Sequence, residues 1–160
     1  MIIKIFTTGG TIDKTYFDQK DTYQVGEPQV AGILHRANVV VAFDVISLMK
    51  KDSLDIDNSD RQIIREAILS AQSRNIIVTH GTDTMIATAE FLQNIPDKTI
   101  VLTGAMYPAQ YRDSDAVFNV GSALVGAQTL PPGVYIAING RIFDPVASVK
   151  NVALNRFESK

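Results

Sequence analysis

Threonine-bearing turns stand directly after two apolar runs of this chain. Thr7-Thr8-Gly9-Gly10-Thr11 follows Ile2-Ile3-Lys4-Ile5-Phe6, and His80-Gly81-Thr82-Asp83-Thr84 follows Ile76-Ile77-Val78-Thr79. Both runs read as strands, so both turns put hydroxyls at a strand's carboxyl end. In open α/β sheets that edge is where ligands bind. Two such turns aimed at one crevice point to a hydroxyl nucleophile with a second hydroxyl beside it. Gly9 and Gly10 permit a sharp turn and a close approach of backbone to ligand. Thr11 then has two readings: a nucleophile, which needs a base or polarising partner, or a hydroxyl that only bonds its own turn. Asp83 reads as a helix N-cap or as a carboxylate for a substrate ammonium. Lys150 lies in Ala147-Ser148-Val149-Lys150-Asn151-Val152. It reads as a partly desolvated proton acceptor or as a lysine reaching out from the domain edge.

Other chemistries find no support in the residue types. There is no Gly-x-Ser-x-Gly elbow to make His80 part of a triad, and His80 reads as bonding backbone near its strand end. His35 reads as a solvent-side residue near a helix end. The only two histidines, in a chain without cysteine, give no metal site. Neither the P-loop pattern nor Gly-x-Gly-x-x-Gly occurs, and Asp13-Lys14-Thr15 does not open a helix. No metal or organic cofactor is called for.

The elements that must position these residues follow from periodicity. Strands are expected at Ile2–Phe6, Val39–Leu48, Ile76–Thr79, Ile100–Thr103 and Val134–Ile138, most of them continuously apolar, as parallel strands covered on both faces are. A helix after Asn58 shows Ile64, Ala67, Ile68 and Ala71 at helical spacing, with Ser59 and Gln62 as a capping box. A second helix starts near Asp83, with Met85, Ala89 and Leu92 inward. A third starts near Ser114, with Val117, Val120 and Leu124 inward, and a short one covers Gln29–Arg36. Asn139-Gly140 reads as a tight hairpin turn. Asp13–Glu27, with Tyr16, Phe17 and Tyr23, shows no consistent period and reads as an irregular surface or binding loop. The alternation predicts one doubly wound α/β domain, Rossmann-like or flavodoxin-like, with a mostly parallel sheet and helices on both faces.

Composition narrows the partners. A chain of 160 residues is most simply one domain. A net charge of −2 gives no electrostatic case for nucleic acid or an anionic membrane. No apolar run approaches the ~20 residues of a membrane span, and Met1–Phe6 does not read as a signal peptide. Without cysteine the chain fits a reducing compartment, so a cytoplasmic location is expected.

Taken together, Thr8-Gly9-Gly10-Thr11-Ile12, Tyr23-Gln24-Val25-Gly26, Asp52-Ser53-Leu54-Asp55, His80-Gly81-Thr82-Asp83-Thr84-Met85, Thr103-Gly104-Ala105-Met106 and the segment around Lys150 resemble the L-asparaginase/glutaminase family of threonine amidohydrolases. They occur in family order across nearly the whole chain. The resemblance implies hydrolysis of L-asparagine to L-aspartate and ammonia through an acyl-enzyme on Thr11. It implies Tyr23 as the hydrogen-bond partner or base of Thr11, and Thr82 and Lys150 as a second catalytic pair with Asp83 beside them. Ser53 would contact the substrate α-carboxylate and Asp83 its α-ammonium, while Gly10, Leu54, Gly81 and Ala105 line the same crevice. Amide hydrolysis needs a nucleophile, a proton for the departing ammonia and an oxyanion site, and backbone N–H groups near Thr11 and Thr82 would supply the last.

The chain also departs from the family pattern. Residues 1–160 resemble the N-terminal catalytic domain, and the family's smaller C-terminal domain is expected to be missing. That domain gives tetrameric members an acidic group for the α-ammonium. Leu54 stands where many members have a polar residue, and Tyr107 where secreted members often have arginine. The alternatives are a deamidase of glutamine or another amide and a non-catalytic amino-acid-binding module. A homodimer is expected from the family's habit of assembling.

Overall fold

The computed structural model describes residues 1–160. Strand β1 (Ile2–Gly9) leads through a 3-10 turn at Thr11–Asp13 into a hairpin of β2 (Lys14–Phe17) and β3 (Thr22–Val25). Then come α1 (Val30–Arg36), β4 (Ala42–Lys51), a 3-10 turn at Ser53–Asp55, α2 (Asn58–Ser70), β5 (Asn75–Thr79) and α3 (Met85–Phe91). The chain continues with β6 (Thr99–Thr103), α4 (Ala116–Thr129), β7 (Gly133–Ile138), β8 (Arg141–Phe143), β9 (Ser148–Asn151) and β10 (Arg156–Ser159).

Six strands form the central sheet in the order β4-β1-β5-β6-β7-β8, all parallel except β8. The five parallel strands have the flavodoxin-like order, with the first strand between the second and third. Burial on both faces explains the continuous apolar strands. Ile3 and Ile5 of β1, Ile77 of β5 and Val101 of β6 pack with α1 and α4, while Phe6, Ile76, Val78, Ile100 and Leu102 pack with α2 and α3. The expected α/β domain, mostly parallel with helices on both faces, is the fold observed. No helix is long and apolar enough to cross a membrane.

Several local expectations are corrected. The capping box of α2 is Asp57 with Asp60, each side chain bonding the other's backbone N–H, and not Ser59 with Gln62. Each carboxylate accepts one otherwise unpaired amide N–H of the helix start, the reciprocal pairing of a capping box. Val117 faces solvent at 55 % exposure, because the inward stripe of α4 is Ala116, Val120, Ala123, Leu124 and Ala127. Strand β4 begins at Ala42, three residues later than Val39, since Val39 to Val41 form the approach to an edge strand. Asp13–Glu27 is largely a hairpin and not an irregular loop, with Tyr16 registered opposite Tyr23. The Asn139-Gly140 turn does join β7 to β8, with both residues at positive φ as a type I′ hairpin turn requires.

Two hydroxyls at the carboxyl edge of the sheet, Thr7 Oγ1 and Thr79 Oγ1, are buried without a hydrogen-bond partner. They sit opposite each other on β1 and β5. An unpaired buried hydroxyl costs about 1–3 kcal/mol, and an apolar group of the same shape removes that cost. Thr79→Val is therefore expected to raise stability by about 1 kcal/mol, read as a higher denaturation midpoint in urea.

Candidate active site

The crevice forms where β1 and β5 end side by side, at the point where connections leave the sheet toward opposite faces. Backbone packing there is close. Gly10, at φ 85°, has its N–H on Lys51 O at 2.9 Å. A Cβ on Gly10 would run into the Gly81 backbone, and one on Gly81 would lie 2.6 Å from Ser53 Cβ and 2.7 Å from Ser53 Oγ. The glycines thus let three turns meet: the one after β1, the one after β4 and the one after β5. Thr84 Oγ1 donates to Ser53 O at 2.7 Å, and Thr8 Oγ1 donates to Thr79 O at 2.9 Å, which ties the three together. Thr11 opens its 3-10 turn half-buried beside Gly10, while Thr82 and Ser53 are buried.

Lys150 reaches this crevice from outside the main sheet. Its strand β9 pairs antiparallel with β10, and Phe157 of β10 is the register partner of Lys150. Phe157 is buried against Phe143, and its N–H donates to Asn139 Oδ1 at 2.9 Å, so the small hairpin is pinned to the domain. From there Lys150 Nζ donates to Thr82 Oγ1 at 2.8 Å and to Asp83 Oδ1 at 2.5 Å. The lysine side chain is 14 % exposed, so the reading of Lys150 as a lysine extended into solvent is overturned. Asp83 does not cap α3 either, because the N-cap residue is Thr84 and makes no side-chain cap bond. Its carboxylate balances the Lys150 ammonium instead.

The remaining candidates are distributed around the same edge. Ala105 is buried in the loop after β6, next to Gly104, where an added Cβ would collide with His80 O. Leu54 is 72 % exposed, with its side chain largely in solvent. The Tyr23 hydroxyl accepts a hydrogen bond from Tyr111 Oη and is not bonded to Thr11.

Three residues that shape the site were absent from the sequence-based candidates. Asp115 accepts the Met106 and Tyr107 N–H groups at 3.0 and 3.1 Å. Buried Asn119 donates to Gly104 O at 2.9 Å and to Asp115 Oδ2 at 2.8 Å, fixing the loop that carries Ala105. Asn119 is a polar residue on the inward face of an otherwise apolar helix, and that misfit was the available signal. Tyr111 carried no such signal.

Burial sets the charge state of two groups near the crevice. Desolvation pushes the His80 imidazole down to about 4, so it is neutral at pH 7. Its Nδ1 lies 2.7 Å from Gly81 O, a pure acceptor, so Nδ1 carries the proton. Nε2 then accepts from Thr88 Oγ1 at 2.9 Å, and Thr88 Oγ1 accepts from Arg61 Nε at 3.0 Å. His80 is thus a structural brace, bonded to backbone as expected.

Asp13, two residues after Thr11, is pushed up to about 7 by burial, against 3.8 for an ordinary aspartate. Its Oδ1 accepts Gln29 N–H at 2.9 Å just before α1. Because the folded chain holds this proton at pH values where the unfolded chain has released it, stability falls as pH rises from about 4 to about 7. Asparagine keeps the acceptor and removes the charge. Asp13→Asn is expected to stabilise the chain at pH 8 by up to about 4 kcal/mol and to change little at pH 4, as read by thermal melts at the two pH values.

A concavity of about 840 Å³ lies elsewhere, along β4 and the amino-terminal ends of β1 and β5. No group of three or more His, Cys, Asp and Glu side chains gathers as metal ligands.

The family model described as Asparaginase, N-terminal matches residues 2–159. An L-asparaginase of Thermococcus kodakarensis is 32% identical over 169 residues, covering 99% of this chain and 51% of that protein. L-asparaginase 2 of Escherichia coli is 30% identical over 161 residues, covering 89% of this chain and 44% of that protein. The solved structure of the thermostable L-asparaginase from Thermococcus kodakarensis superposes with a TM-score of 0.87 at 29% identity, over 99% of this chain and 51% of that one. The chain thus spans about half the length of the first of these relatives and less of the second.

Proposed function

The chain belongs to the asparaginase family, and on that premise we propose that residues 1–160 form its N-terminal catalytic domain and hydrolyse L-asparagine to L-aspartate and ammonia. The observation that carries this reading is Lys150 Nζ bonded to both Thr82 Oγ1 and Asp83 Oδ1. Lysine is the donor in the first bond, so the Thr82 hydroxyl hydrogen is left free to serve the departing nitrogen.

In the first half-reaction Thr11 Oγ1 adds to the side-chain amide carbon and the C–N bond breaks. The proton lost by Thr11 ends on the departing ammonia, with Thr82 and Lys150 as the route and Tyr23 beside the nucleophile. Backbone N–H groups near Thr11 and Thr82 hold the oxyanion. In the second half-reaction water adds to the Thr11 ester, the C–Oγ1 bond breaks and Thr11 regains a proton. Ser53, Gly10, Gly81 and Ala105 line the pocket, Ser53 meets the α-carboxylate and Asp83 the α-ammonium. Leu54, exposed at the rim, offers neither a donor nor an acceptor, so its side chain adds no polar contact to the free amino acid.

On the same reading the chain acts in the cytoplasm and as a homodimer. The exposed Val117, Phe118 and Val125 on α4 support association. A second reading, hydrolysis of an amide on a larger molecule, is favoured by the 72 % exposure of Leu54 at the rim. Ammonia release by the purified chain from L-asparagine, L-glutamine and D-asparagine tests the proposal. Release from L-asparagine is the expected result, and no release from any of the three would overturn it.

A further inference from the structure

Tyr111 belongs to a turn that is braced on every side. Its N–H donates to Pro108 O at 3.0 Å, and its carbonyl accepts Ser114 N at 3.1 Å. Ser114 Oγ donates to Tyr107 O at 2.8 Å, and Asp115 holds the base of the turn through the Met106 and Tyr107 amides. Ala109 N donates to Ile12 O at 3.1 Å, which joins this turn to the one that carries Thr11.

The β2–β3 hairpin is held differently. At its root Gly26 N donates to Asp13 O at 2.8 Å, and Lys14 pairs with Asp52 at 2.8 Å. Beyond the root, residues 16 to 23 are exposed. There the Tyr23 ring lies between two others: Tyr16 at 5.3 Å between centroids and Tyr111 at 6.0 Å, edge to face. Tyr111 Oη donates to Tyr23 Oη, a bond from the rigid turn to the exposed part of the hairpin.

We infer that Tyr111 is a positioning residue for Tyr23: it latches the β2–β3 hairpin to the turn after β6 and fixes the direction of the Tyr23 hydroxyl. The bond takes up one site on the Tyr23 oxygen and leaves the rest of its hydrogen-bonding capacity for a group beside it. The edge-to-face contact sets the ring plane from which that hydroxyl is presented. The inference rests on the reading of Tyr23 as a group that works beside Thr11.

The test compares Y111F, Y23F and the double variant in the whole chain, by two readouts. Trypsin cleavage after Lys20, at the exposed end of the hairpin, reads the latch without requiring turnover. Ammonia release from L-asparagine reads positioning. Loss of one such hydrogen bond is expected to make Y111F about fivefold faster to cleave and about fivefold lower in kcat, with KM changed less than about twofold and the melting temperature unchanged. In the Y23F background the bond is already gone, so adding Y111F should change neither readout. Equal cleavage of Y111F and the parent, with kcat impaired in Y23F, would overturn the latch and leave the role of Tyr23 standing. Full kcat in Y23F would overturn the role of Tyr23 itself, and with it the positioning of that group.

Discussion

Thr11→Ala is expected to lower ammonia release by a factor on the order of a thousand or more, with the fold intact. The nucleophile is the one group whose removal leaves no alternative route through the ester. Thr11 makes no side-chain hydrogen bond that shapes the turn, which is set by Gly9 and Gly10 at φ 99° and 85° and by Asp13 N–H on Gly10 O at 3.1 Å. The melting temperature of the variant should therefore match the parent. Substrate affinity should also hold, because Ser53, Asp83 and the crevice glycines are untouched. Activity and stability separate cleanly in this variant: a loss of both would point to a structural threonine, and retention of both would point to a different nucleophile.

Lys150→Met is the second large effect, expected to cut kcat by about a hundredfold or more. Methionine keeps the length and the apolar stem but removes the charge that bonds Thr82 Oγ1 and Asp83 Oδ1. The small hairpin should stay in place, since Phe157 against Phe143 and its N–H on Asn139 Oδ1 hold it. KM should rise as well, because Asp83 loses the partner that orients it. Measured kcat, KM and melting temperature check the three parts of this expectation. If kcat stayed within about twofold of the parent, proton transfer through this lysine would be untenable.

How much of this was legible in the sequence depends on the range of the interactions. β1, β5, β6 and β7 were legible because burial on both faces leaves a short, continuous run rich in β-branched residues. The two threonine turns were legible because glycine is required wherever backbones approach as closely as Gly10 and Gly81 do. The inward face of α4 was misjudged at Val117. Its stripe is built largely from Ala116, Ala123 and Ala127, which a reading keyed to large aliphatic side chains passes over. The hairpin at residues 14 to 25 was missed because polar and aromatic residues on an exposed ribbon carry no burial period, and its pairing rests on Tyr16 meeting Tyr23. Asp83 was ambiguous by position alone, and only Lys150, far along the chain, decides its use. Tyr111 was invisible for the same reason, since its partner lies 88 residues away.

Trapping the covalent intermediate shows which threonine carries the acyl group. The chain would be acid-quenched during turnover of L-asparagine, digested and mapped by mass spectrometry, with Thr11→Ala as the control. An aspartyl ester on the peptide bearing Thr11, absent from the control, is the predicted result. An ester on Thr82 instead, or one that persists in the Thr11→Ala chain, would contradict the assignment of the nucleophile.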